Sequence, residues 1–336
     1  MSDKSTTDHP FGQWVNLEQP RLGTRVVYAN DEFFAAKERL IDPAEPVFIK
    51  GKYDDHGKWM DGWESRRKRG PGHDHCIIRL GIPGVVRGVD IDTSFFTGNY
   101  PPFASLEACR SDEEIPGPSA DWRELLAKLP LNGNSHHLLP VQDEEPVTHL
   151  RFNIFPDGGV ARLRIYGEVR PDWSKHDADK VIDLFALENG GRALLCNNQH
   201  FSSMHRMNVP GRALTMGDSW GTRRRREPGN DWVIISLGHP GVIEKVEFDT
   251  AHHKGNYPDR TSIQAALVKN PSLETLESAS ETWPVLLPET KLGADKQHYF
   301  ESELNAPGVV SHLRVTIYPD GGISRLRLYG RIAKDA

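Results

Sequence analysis

The sequence predicts an all-β chain built as a tandem pair of antiparallel jelly-roll sandwiches, and three observations carry that prediction. The first is an internal repeat. The segment from Asp61 to Pro101 lies without a gap over Asp218 to Pro258 at a constant offset of 157, and HLRFNIFPDGGVARLRIYGEV from His149 lies over HLRVTIYPDGGISRLRLYGRI from His312 at an offset of 163. Roughly half of the positions in the first pair are identical, a self-similarity that means duplication. The second observation is alternation of apolar and polar residues in HCIIRLGIPGVVRGVDID and DWVIISLGHPGVIEKVEFD, the period of a half-buried strand. The third is turn punctuation, with Pro-Gly inside each of those strings and Pro156-Asp157-Gly158-Gly159 matched by Pro319-Asp320-Gly321-Gly322. Many short strands separated by such turns define a sandwich, most simply a jelly roll.

Taken in order, DEFFAAKERL (31–40) has helical periodicity, and the Trp-containing basic run that follows leads into the alternating string. Pro-Gly should fold that string into a hairpin. DWRELLAKL (121–129) again has helical spacing, and the Pro-Asp-Gly-Gly turn should close a second hairpin. The polar, proline-containing VRPDWSKHDADK separates the copies, giving a first repeat over 1–172 and a second over 173–336.

With 336 residues, two domains of ordinary size are expected, and 37% apolar residues suit a globular chain. Lys plus Arg number 41 against 47 Asp plus Glu, a net charge of -6 that disfavours nucleic acid as a partner. No apolar run of about 18 residues offers a membrane span. The opening MSDKSTTDHPFGQW has no apolar stretch of the secretory kind, so a cytoplasmic location is expected. Cys76, Cys109 and Cys196 are odd in number and far apart, which points to reduced thiols and away from a zinc site.

The densest polar cluster is Asp61, Trp63, Arg66, Arg67, Lys68 and Arg69, mirrored by Asp218, Trp220, Arg223, Arg224, Arg225 and Arg226. A run of cations is equally a solvated loop or a capture site for an anion, for which the guanidinium fork fits a carboxylate with two parallel hydrogen bonds. Asp74 and Asp231 open a strand while Asp92 and Asp249 close the next. They are ordinary turn-edge residues, or carboxylates whose pKa burial would raise for acid-base work. Gly98-Asn99-Tyr100-Pro101 recurs as Gly255-Asn256-Tyr257-Pro258, a turn whose amide also complements a ureido group. His252-His253 replaces Phe95-Phe96, placing titratable rings in one copy alone. His73 and His75 alternate along a strand without a strong metal-ligand pattern, and no nucleotide-binding or nucleophile motif is present.

These strings, with the Trp and its basic run, the Asp-Thr before Gly-Asn-Tyr-Pro, the Pro-Asp-Gly-Gly turns and the duplication in order, resemble the allantoicase family over almost the entire chain. The departures are His75 where the other copy has Trp232, and Gly221 where the first has Glu64. The LRLYG ending also looks like the last strand of galactose-binding-like sandwiches, an analogy of fold that is no warrant for sugar binding.

The resemblance implies hydrolysis of allantoate to ureidoglycolate and urea in purine catabolism, and a closed homo-oligomer. Allantoate is a carboxylate whose sp3 α-carbon carries two ureido groups, so its C–N cleavage calls for general acid-base assistance and not for a nucleophilic serine or cysteine. On that basis Arg66 or Arg67, with Arg223 or Arg224, would hold the carboxylate beside Trp63 and Trp220. Asn99 and Asn256, with Tyr100 and Tyr257, would face the ureido groups. Asp74, Asp92, Asp231, Asp249 or His252 would move protons. No cofactor is required by this chemistry, although a divalent metal such as manganese could be held by His73, His75 and the aspartates. The alternative is a non-catalytic carbohydrate- or anion-binding module, with Trp63 and Trp220 as platforms.

Overall fold

A computed structural model describes residues 9–12, 14–269, 271–306 and 308–334. The chain divides into two compact units between Pro171 and Asp172. Each is built around one strand of 19 residues, Asp74–Asp92 in the first and Asp231–Asp249 in the second.

In the first unit the long strand serves two layers. Its N-terminal part pairs with Arg25–Ala29 on one side and Val147–Phe155 on the other, Cys76 lying opposite Ala29 and Phe152. Its C-terminal part pairs with His136–Pro140 and Arg162–Val169, Asp92 lying opposite His136 and Arg162. Phe103–Cys109 and then Arg123–Pro130 extend the first layer, and Val15–Asn16 borders the second. Ile78, Leu106, Leu150 and Phe152 from one layer share a core with Val89, Leu163 and Ile165 from the other, all of them at 0% exposure. Burial on that scale contributes about 1.5–3 kcal/mol per large aliphatic side chain. The second unit repeats this strand order and closes its own core.

The long strand replaces the expected Pro-Gly hairpin. Its glycines serve close approach and not a reversal, since a Cβ on Gly81 would stand 2.0 Å from the Leu22 carbonyl oxygen and one on Gly84 2.8 Å from that of Glu168. The Pro-Asp-Gly-Gly segments are also not hairpins. Val147–Phe155 and Arg162–Val169 pair with different halves of the long strand, and the turn between them, entered through a cis Phe155–Pro156 bond, carries Gly159–Val160 onto Trp63–Glu64.

The helical spacing of 121–129 is overridden as well. Arg123–Pro130 is an edge strand on Phe103–Cys109, whose backbone groups it satisfies while Leu125, Leu126 and Leu129 pack on the core. The spacing in 31–40 yields one short 3-10 turn, Lys37–Ile41. Among the described residues the α-helix is Leu273–Ser280, and no helix is long and apolar enough to cross a membrane.

Candidate active site

Two turns build a cavity in the second unit. Gly321, at φ +141, lies so close under the Gly255–Pro258 turn that a Cβ there would stand 2.7 Å from Pro258 N and 2.8 Å from the Asn256 carbonyl oxygen. Gly322 N donates to that same carbonyl at 2.9 Å. Glycine is therefore required at 321 by the approach of one backbone to another and at 322 by the His253 ring, which lies 1.9 Å from where a Cβ would stand. Asp320 then clips the basic run, its Oδ2 accepting from Arg225 N at 2.9 Å, while Thr222 Oγ1 accepts from Gly321 N at 3.0 Å. The three motifs enclose about 700 Å3, lined by Arg224, Asn256, Tyr257, His253, Ser219 and Thr222 together with Phe201 and Met216. This volume suits a small molecule.

The arginines separate into two kinds. Arg66 is held by Asp31, Nε to Oδ2 at 2.7 Å, and Arg223 by Glu227 at 2.8 Å. Arg225 faces the buried Asp231 at 3.7 Å, and Lys68 pairs with Asp74 at 2.6 Å. Arg224 and its counterpart Arg67 are exposed and have no acidic partner among the described residues. Of the two, Arg224 lines the cavity as a guanidinium free to bind an anion.

His253 is buried against Gly322, its Nε2 3.0 Å from Ser219 Oγ and its Nδ1 without a hydrogen-bond partner. Burial holds its pKa below the ordinary imidazole value, which favours the neutral ring. The adjacent His252, at φ +68, turns the other way, Nε2 lying 2.9 Å from the Ala213 carbonyl, outside the lining. His253, and not the expected His252, is thus the imidazole that lines the cavity.

Other expectations are corrected too. Trp63 and Trp220 are core residues at 0% exposure, their indole N–H groups donating to the carbonyls of Asp31 and Asn198, so neither is a platform for a ligand. Asp249 is buried and gripped by Arg212 at 2.8 and 3.0 Å, and Asp92 accepts from Ser94 N at 2.7 Å. Asp74 is buried with Lys68 and Asn30, and Asp231 stands behind the cavity wall with its pKa raised by burial. These four aspartates fix strand ends and basic loops, and none lines the cavity. Tyr100 packs on the core. His73 bonds to Asn153 at 3.2 Å and packs tilted against Phe155, and His75 lies against Tyr28. Among the described residues no three His, Cys, Asp or Glu side chains converge on a possible metal position.

Sequence reasoning passed over Asp320 as a turn residue and Ser219 and Thr222 altogether. The available signal was the recurrence of both turn motifs in both copies, which the packing of Gly321 under Asn256 explains.

Fold and cavity together define a tandem β-sandwich protein whose second repeat holds an arginine- and amide-lined cavity. Residues 15–170 and 182–333 match the Allantoicase repeat model. A probable allantoicase 2 of Burkholderia pseudomallei is 55% identical over 96% of both chains. A probable allantoicase of Pseudomonas aeruginosa is 54% identical, over 96% of this chain and 97% of its own length. The crystal structure of allantoicase from Saccharomyces cerevisiae superposes with a TM-score of 0.75 at 36% identity, covering 94% of this chain and 92% of that one. The chain belongs to the allantoicase family.

Proposed function

We propose that the chain hydrolyses allantoate to ureidoglycolate and urea in the cavity of its second repeat. The observation that carries the assignment of the site is the unpaired Arg224 guanidinium, in one cavity with the Asn256 amide and the neutral, buried His253.

Arg224 binds the substrate carboxylate, and Asn256 Nδ2 donates to a ureido carbonyl. His253, its Nε2 set by Ser219, draws the proton from the retained ureido N–H as the C–N bond to the departing group breaks. The bonding electrons leave with the departing nitrogen, which takes that proton and goes as urea. Water then adds across the resulting C=N bond, hydroxyl to carbon and hydrogen to nitrogen. Proton transfer of this kind contributes about 100- to 10,000-fold. The scheme needs no cofactor.

Purified protein treated with EDTA should release urea from allantoate, and absence of urea both before and after manganese is restored would overturn the activity. Rescue by manganese alone would send the search to metal ligands. Arg224→Ala should lower kcat/KM by about 10- to 150-fold, equivalent to about 1.5–3 kcal/mol for a lost charge-assisted pair, with Arg224→Lys recovering only part. Unchanged kcat/KM in Arg224→Ala would remove the carboxylate from this cavity. The same reading takes the protein to be a closed homo-oligomer, which sedimentation of the full chain tests.

A further inference from the structure

The two copies of the site are not alike. Glu64 and Gly221 hold the same place, opposite Gly159 and Gly322 respectively. In the second repeat no carboxylate stands there, Ser202 Oγ lying 2.8 Å from where a Cβ on Gly221 would be, and the Asn256 amide, 3.6 Å from Met216 Sδ, interacts with the cavity-lining His253. In the first, Glu64 Oε1 accepts from Asn99 Nδ2 at 2.7 Å, so one N–H of the amide matched to Asn256 is already held by a carboxylate. Phe96, at 0% exposure, fills the position of His253 and packs on Gly159 as the imidazole packs on Gly322.

A longer loop lies over this arrangement. Sixteen residues separate Ala44 from Asp61, where six separate Gly211 from Asp218. The loop forms the pair Tyr53–Asp54 with Gly57–Lys58 and stacks Phe48 on Phe95, ring centroids 5.9 Å apart, with Lys58 Nζ 4.8 Å from the Phe48 ring. Lys58 and Asp54 both act electrostatically on Glu64, whose pKa burial raises.

We infer that each chain has one working site, in the second repeat, and that Glu64 closes its counterpart by occupying Asn99 as an internal stand-in for the ligand. The inference rests on the second-repeat cavity being the substrate site. An incoming carboxylate meets in the first repeat a like charge that holds one N–H of Asn99, and at the place of His253 it finds the phenyl ring of Phe96, which moves no proton. The duplication therefore keeps one copy as scaffold.

The test is binding stoichiometry, read by titration calorimetry of the full chain with hydantoate. This carboxylate has a single ureido group and hence no second one to drive urea out. Wild type should bind one hydantoate per chain, Arg224→Ala none and Glu64→Gly two, the added site being lost again in Glu64→Gly/Arg67→Ala. Glu64→Gln, which keeps an oxygen for Asn99, should stay at one. Urea release per chain should be unchanged in Glu64→Gly, because Phe96 supplies no proton, and an unchanged melting profile of the full chain reports correct folding. Two sites in wild type, or one site in an active Glu64→Gly protein, would overturn the inference, as would a wild-type site that survives Arg224→Ala and disappears in Arg67→Ala. No binding by any variant would instead overturn the cavity reading beneath it.

Discussion

Arg325 is the hinge between scaffold and site, and replacing it tests both. Its side chain is 1% exposed and makes a fan of hydrogen bonds, from Nε to the Gly211 carbonyl at 2.9 Å, from Nη1 to the Asp218 and Arg206 carbonyls at 2.7 and 3.2 Å, and from Nη2 to Asp218 Oδ2 at 2.8 Å. Those partners hold residues 206–218, whose end supplies Met216 and Gly217 to the cavity wall. Lysine carries the same charge on one atom and cannot reach all four acceptors. Leaving two buried acceptors unpaired costs about 1–3 kcal/mol each, consistent with about 3–5 kcal/mol for disrupting a buried ion pair. At about 2–4 °C per kcal/mol for a unit of this size, Arg325→Lys should lower the melting temperature by roughly 6–20 °C. Arg162 makes the matching fan in the first repeat, to Ala44 and Asp61, and is the control. Both variants should lose stability in thermal unfolding. At a temperature where both remain folded, only Arg325→Lys should lose urea release, by at least tenfold, because only its loop walls the cavity. A melting temperature within 2 °C of wild type for Arg325→Lys, at full activity, would refute the argument, and so would an equal activity loss in Arg162→Lys (the 2 °C margin being less than about 1 kcal/mol).

His253→Phe should keep the fold, since Phe96 already packs in the same way on Gly159, yet lower kcat by about 100-fold or more with a smaller change in KM. In wild type the acid limb of the kcat/KM profile should fall below the ordinary imidazole value, following the burial of His253, and it should vanish in His253→Phe. An unaltered profile would acquit the ring. Glu18, fully buried, has its carboxyl pushed up from 4.5 to about 7 by desolvation, so between those pH values the folded protein keeps a proton that the unfolded chain releases. Its contribution is fully present below pH 4.5 and is lost as pH rises through about 7. Glu18→Gln should therefore gain stability relative to wild type, by roughly 3 kcal/mol between pH 4.5 and 7.5, in guanidinium unfolding. A difference independent of pH would dismiss Glu18 as its source.

The duplication and the strand content were legible because identical residues recur at fixed offsets and alternation survives in both copies. The expected hairpins failed for a specific reason: Pro-Gly reads as a turn, whereas Gly81 and Gly84 are small because other backbone passes within 3 Å of where a Cβ would sit. Such a contact is long-range and leaves no local mark. In 121–129 the helical spacing of Leu125, Leu126 and Leu129 yielded to pairing with Phe103–Cys109. The basic run was visible at once, but its members differ only in their partners, Asp31 for Arg66 and Glu227 for Arg223, and pairing cannot be read from spacing. The choice between His252 and His253 hangs on the positive φ of His252, which decides which ring faces inward.

The two repeats show why scaffold and site drift differently after duplication. Ile165 N and Leu328 N are the same backbone donor in the two copies. Glu18 Oε2 accepts the first at 2.8 Å and Asp183 Oδ1 the second at 2.9 Å. Yet Asp183 pairs opposite Tyr329 as Asn16 does opposite Tyr166, so the two acids occupy different places in the repeat. A buried amide requires an acceptor, and any side chain that delivers an oxygen there will do. Burial raises the pKa of both acids, Asp183 to about 6, so either solution carries the same dependence on pH. The cavity has no such latitude. A carboxylate at 64 in place of Gly221 engages the amide that would receive substrate, and a phenyl ring in place of His253 removes the proton carrier. On the proposed reading two substitutions suffice to close one site, while the backbone donor at Ile165 and Leu328 keeps an acceptor in both repeats.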